Sequence, residues 1–137
     1  MLTDAVDGMD TPDTLKALRD QHQQVSACFD EFLHRLFTVA DQRAVIVDSL
    51  LGVITGIGMH FGFEEAVMQD AGYADFEHHR RQHLGIMTEL GLLLDRLENN
   101  NAAADLARGA DFLFHWYREH IANSDQALEA WLIGSRA

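Results

Sequence analysis

The chain has 137 residues, 47% of them hydrophobic, with 22 acidic against 10 basic side chains and a net charge of −12. That length suits one domain with one core, and a charge this negative disfavours nucleic acid or an anionic membrane as partner. The single cysteine, Cys28, excludes an intrachain disulfide and any Cys-rich zinc or iron–sulfur site.

Proline occurs once, at Pro12 after Thr11, and this pair reads as an N-cap and first helical residue. A stripe then runs through Leu15, Leu18, Val25, Phe29, Phe32 and Leu36, which predicts a helix to about Ala40. The second stripe is Ile46, Leu50, Val53 and Ile57, continuing toward Val67. The third is Phe76, Ile86, Leu90, Leu93 and Leu97, and the fourth is Leu106, Ala110, Leu113 and Tyr117. Short polar breaks lie at 41–43, 70–72 and 99–101. Long helices joined by short loops must run antiparallel, so the expected fold is an all-α, up-down-up-down four-helix bundle. Residues 1–10 read as a loose arm, 12–122 as the bundle, and 123–137 as a short helical segment after a break at Asn123-Ser124. One domain over 1–137 is expected. Apolar runs of only a few residues argue against a transmembrane span, and an N-terminus with acids and no base argues against a secretory signal. The expected setting is the cytoplasm, and the charge favours a monomer.

Eight histidines are many for this length. The stripes have gaps, and histidines fill them. His22 stands between Leu18 and Val25; His60 and then Glu64 follow Ile57; His79 and His83 lie between Phe76 and Ile86; His120 follows Tyr117. His34, His78 and His115 fall on outward positions instead. A buried imidazole can simply bond a carbonyl, but five of them beside a buried carboxylate carry a large desolvation cost. A metal removes it, because it takes lone pairs from neutral imidazoles and balances the carboxylate. His60 and Glu64 are four apart, as are His79 and His83, so each pair shares a helix face. In an alternating bundle all six residues fall toward one end.

A sulfur-free nitrogen and oxygen set suits iron, manganese or zinc, and six ligands suggest two ions with a carboxylate between them. No Glu-x-x-His occupies core positions, which disfavours the ferritin-like di-iron pattern. A shell rich in neutral imidazole leaves the centre cationic. Such a centre is expected to bind dioxygen and release it rather than cleave the O–O bond.

Taken together the residues resemble the hemerythrin family, specifically a single-domain bacteriohemerythrin. The resemblance rests on Asp20-Gln21-His22, on His60-Phe61-Gly62-Phe63-Glu64-Glu65 with Met68, and on Gly72-Tyr73. It continues with His79-x-x-x-His83 and Trp116-x-x-x-His120-Ile121-x-x-x-Asp125. It implies an oxo- or hydroxo-bridged pair of iron ions, one held by His79, His83 and His120 and the other by His22 and His60. Glu64 and Asp125 would bridge them, and dioxygen would bind end-on at the His22/His60 iron. Asp125 enters by resemblance alone, since five residues after His120 is about 140° round an ideal helix. Phe61, Trp116, Tyr117 and Ile121 would line the oxygen pocket. Two features depart from the family: residues 1–18 contain no Trp, and Tyr117 replaces the usual pocket leucine. Storage, delivery or sensing of dioxygen is the expected function. The alternatives are a di-iron enzyme reducing nitric oxide or peroxide, and an iron-handling or redox-sensing protein. Cys28 reads as a small buried hydrophobe, and Glu65 as a solvated neighbour or a partner of a ligand.

Overall fold

A computed structural model of the chain describes residues 9–39, 41–99 and 103–135. It consists of helices α1 (Thr11–Thr38), α2 (Arg43–Ala71), α3 (Phe76–Glu98) and α4 (Ala103–His120), a π turn (Ile121–Asp125), and α5 (Gln126–Ser135). Among the described residues there is no strand. Each helix packs on the next and α4 returns to α1, closing a four-helix bundle, while α5 continues α4 and also touches α1. The arm expected over 1–10 lies outside the described residues except for Met9 and Asp10.

Local chemistry sets the helix ends. The cap of α1 is Asp10 rather than Thr11: its carboxylate accepts from the Asp13 N–H at 2.9 Å, and Pro12 sits within the first turn. A carboxylate there also complements the positive end of the helix dipole. α1 closes at Val39. α2 stops at Gly72, whose φ of 68° favours a residue without Cβ, and the Tyr73 N–H closes back on the Met68 carbonyl at 2.9 Å. This sharp stop brings Tyr73 edge-on to His79 at 6.5 Å.

The buried stripes form two apolar cores. The larger runs from Val25, Phe61 and Tyr117 through Phe29, Phe32, Ile57, Ile86 and Leu90 to Leu36 and Leu97. The smaller joins Leu15, Leu18, Ala66, Val67, Met68, Leu128 and Leu132. The expected break at 123–124 is instead a π turn, so α5 stays in line and supplies Leu128 and Leu132. α2 also departs from expectation. Its most apolar stretch has mean hydropathy 1.7, long and apolar enough to cross a membrane by length and composition, with 33% of that stretch buried. Glycines 52, 56, 58 and 62 shorten the apolar runs without adding charge, so run length alone does not exclude a span.

Candidate metal centre

Between the two cores lies a polar layer. α1 contributes His22, α2 His60 and Glu64, α3 His79 and His83, α4 His120, and the π turn Asp125. All are buried except His22, whose side chain is 14% exposed. His34, His78 and His115 lie on the exposed surface, as the stripes predict.

The seven side chains form two groups that share both carboxylates. One is Glu64, His79, His83, His120 and Asp125; the other is His22, His60, Glu64 and Asp125. The oxygens divide between them. Glu64 Oε1 lies 2.6 Å from His79 Nε2 and 2.9 Å from His83 Nε2, while Oε2 lies 3.6 Å from His60 Nε2 and 3.9 Å from His22 Nε2. Asp125 Oδ1 lies 2.9 Å from His79 Nε2 and 3.0 Å from His120 Nε2, and Oδ2 lies 3.0 Å from His22 Nε2. Each carboxylate thus points one oxygen at a three-imidazole group and the other at a two-imidazole group.

The outer nitrogens explain what faces inward. His60 Nδ1 meets Gln21 Oε1 at 2.7 Å, His83 Nδ1 meets Glu65 at 2.9 Å, and His120 Nδ1 meets Gln82 Oε1 at 2.8 Å. An acceptor at Nδ1 places the ring proton there and leaves the Nε2 lone pair directed inward. His83 Nε2 and His120 Nε2 then face each other at 3.1 Å, an arrangement that a cation resolves. His22 Nε2, His60 Nε2, Glu64 Oε2 and both Asp125 oxygens are buried with no hydrogen-bond partner. Unpaired buried polar atoms are rare and costly. Their convergence fits a bound metal, and the all-nitrogen-and-oxygen donor set suits a transition ion.

The comparison with known families agrees. The chain matches the Hemerythrin HHE cation binding domain over residues 13–132. It belongs to the hemerythrin family. No curated protein and no solved structure matches it. The matched span takes in every residue of the polar layer, so a cation-binding domain of this family carries within it a buried His/Glu/Asp cluster fit to hold metal.

Without metal this hemerythrin site is electrostatically uneven. Burial, aided by neighbouring imidazoles, pushes His60 down to about 3; burial likewise takes His83 down to about 4, against the hydrogen bond to Glu65. Burial also lowers His79, but the Asp125 and Glu64 carboxylates close beside it win and raise it to about 9. Burial and the charge of Asp125 lift Glu64 to about 7. Burial acts upward on Asp125 too, yet the imidazoles of His120, His22 and His79 close beside it hold it well below the usual carboxylate range.

The residues expected to line a pocket spread around this layer. Phe61 stacks on His83 with ring centres 3.7 Å apart, which locks the imidazole plane. Tyr117 is buried beside Phe61 and Phe29. Trp116 is half-buried over Gly85 at the α3–α4 seam, and Ile121 flanks His22 in a shallow groove. A second groove, of about 440 Å³, lies between α1 and α2, with Val25, Cys28, Gly56, Met59, His60 and Phe63 in its lining. Cys28 is half-buried there against the larger core. Gln82 escaped the sequence reading, as did Ser124, which bonds to it, and Gln21 entered that reading only inside a motif. Polar residues on helix flanks leave no periodic signal.

Proposed function

We propose that the protein holds two iron ions in this site and binds dioxygen reversibly. The observation that carries the reading is the division of both carboxylates between the two imidazole groups. That is the arrangement two ions need when each carboxylate gives one oxygen to each. Bound there, the iron pair supplies two electrons that can be lent to dioxygen and recovered.

The chain's own residues do the rest. His79, His83 and His120 with both carboxylates offer one ion five protein donors. His22 and His60 with the same carboxylates offer the other only four, leaving more room for an external ligand. The α1–α2 groove, with His60 in its lining, gives a small apolar molecule a path from the surface. Phe61, Tyr117 and the larger core close the layer from one side, and Leu18, Val67, Met68 and Leu128 close it from the other, which keeps bulk water out. Five neutral imidazoles leave the centre less negative than a carboxylate-rich shell would, favouring return of the bound gas over O–O cleavage.

The test is to load the protein with iron, reduce it without air, admit dioxygen and then remove it under vacuum while recording the visible spectrum. A charge-transfer band that appears with dioxygen and vanishes under vacuum, over repeated cycles, is expected. Rapid conversion to a stable ferric spectrum with no such band would overturn reversible binding in favour of turnover or iron handling.

A further inference from the structure

Two buried polar groups remain among the described residues once the seven site residues and their outer partners are accounted for, an Arg43 nitrogen at the start of α2 and the Tyr117 hydroxyl beside the metal layer. Tyr117 is fully enclosed, at 0% exposure, and its hydroxyl has no hydrogen-bond partner. Buried tyrosines ordinarily find one, because the unpaired hydroxyl forfeits its hydration for nothing. The ring is held between Phe29, with centres 5.9 Å apart, and Phe61 at 6.3 Å, so packing fixes where the hydroxyl sits.

Phe61, against which it packs, has its ring centre 5.9 Å from that of His60 and 5.9 Å from that of His120, so Tyr117 borders the metal layer. Among the described residues, the other buried side-chain atoms without a partner are His22 Nε2, His60 Nε2, Glu64 Oε2, both Asp125 oxygens and one Arg43 nitrogen. All but the arginine belong to the metal layer. Within that layer the orphaned imidazole nitrogens are those of His22 and His60, and the orphaned Glu64 oxygen is the one facing them. Tyr117 stands one turn before His120 in α4, and both are buried. Burial first, and then the charges of Asp125 and Glu64, raise its pKa, so the phenol keeps its proton and remains a donor.

We propose that the Tyr117 hydroxyl donates a hydrogen bond to a small external ligand held at the His22/His60 side of the centre, selecting ligands that present a lone pair or negative charge there. This rests on the two-iron reading above. It makes Tyr117 a ligand-binding residue rather than a filler of core volume.

Azide serves as the anionic probe, added to the ferric, iron-loaded protein and to its Tyr117→Phe variant. At equal iron content the variant is expected to bind azide about tenfold more weakly. The azide stretching frequency should shift between H2O and D2O in the parent and not in the variant. The metal-free variant should melt at the parent's temperature or higher, because it loses no bond. Equal azide affinity with equal spectra, at full iron content, would overturn the role of Tyr117 and leave the two-iron reading standing. A metal-free variant melting several degrees lower would also overturn it, by showing that the hydroxyl bonds the protein. Failure of the parent to take up iron would overturn both.

Discussion

His120 and Asp125 meet at 3.0 Å, Nε2 to Oδ1, although five residues separate them. On a regular α-helix that separation turns the aspartate about 140° away. The π turn over Ile121–Asp125 closes i→i+5 and brings residues five apart onto one face. One extra residue in the turn is what admits Asp125 to the site, and α5 still runs on to bury Leu128 and Leu132.

This relationship makes the helix sensitive to length in one direction. Deleting the exposed Ala122 leaves the aspartate four residues after His120, about 40° round a regular helix and on the same face. Inserting an alanine after Ala122 puts it six residues on, about 120° off. The deletion variant is expected to retain its iron and the insertion variant to lose it, measured as iron per chain at matched helix content. Equal loading of the two would refute this account of the turn.

The partners at the far side of each ring should set affinity. Gln21, Glu65 and Gln82 orient His60, His83 and His120. Removing any one by alanine is expected to weaken metal binding by about 10–100-fold. Glu65→Gln keeps an acceptor oxygen opposite His83 Nδ1 and should recover part of the loss of Glu65→Ala. Competition against a chelator measures both, and an alanine variant with unchanged affinity would remove that residue from the site's support.

The metal-free protein should be most stable near pH 6.5. His60 and His83 are held neutral in the fold, at about 3 and about 4 against an ordinary 6.5, so the unfolded chain takes up their protons first as pH falls. Stability therefore drops on acidification through that window. His79, raised to about 9, has the opposite sign: its contribution is complete below 6.5 and lost as pH rises through about 9. Glu64, raised to about 7, also favours the protonated fold, but between pH 4.5 and 6.5 the two histidines outweigh it. Urea midpoints of the metal-free protein from pH 4 to 9.5 report the profile. A midpoint that keeps climbing to pH 9 would contradict it.

Much of this was legible in the sequence, and the exceptions have physical causes. His22, His60, Glu64, His79, His83 and His120 interrupt apolar stripes, so a 3.6-residue period alone marks them. Asp125 could not be found that way, because the π turn breaks the period at the point where it enters. Asp10 displaced Thr11 as the cap because a carboxylate one residue earlier reaches the same N–H groups. Gln82 and Ser124 sit on helix flanks, where a polar residue is unremarkable until the fold puts it beside an imidazole.

The α1–α2 groove should control the rate of ligand entry. At Gly56 an added Cβ would come no nearer than 4.0 Å, to Val25 Cγ2. Gly56→Ala therefore fits, and is expected to stabilise the helix by about 0.5–1 kcal/mol. Gly56→Leu extends a larger side chain from a residue that lines the groove together with His60. Stopped-flow mixing with azide should show slower association in the leucine variant with little change in equilibrium affinity. An unchanged association rate would mean that ligands enter elsewhere.

The two-ion site is tested most directly by titrating the metal-free protein with ferrous iron under anaerobic conditions. Two equivalents per chain are expected in the parent. A variant combining His22→Ala with His60→Ala should bind one, because His79, His83 and His120 keep their group intact. A parent that saturates at a single equivalent would contradict the division of Glu64 and Asp125 between two ions.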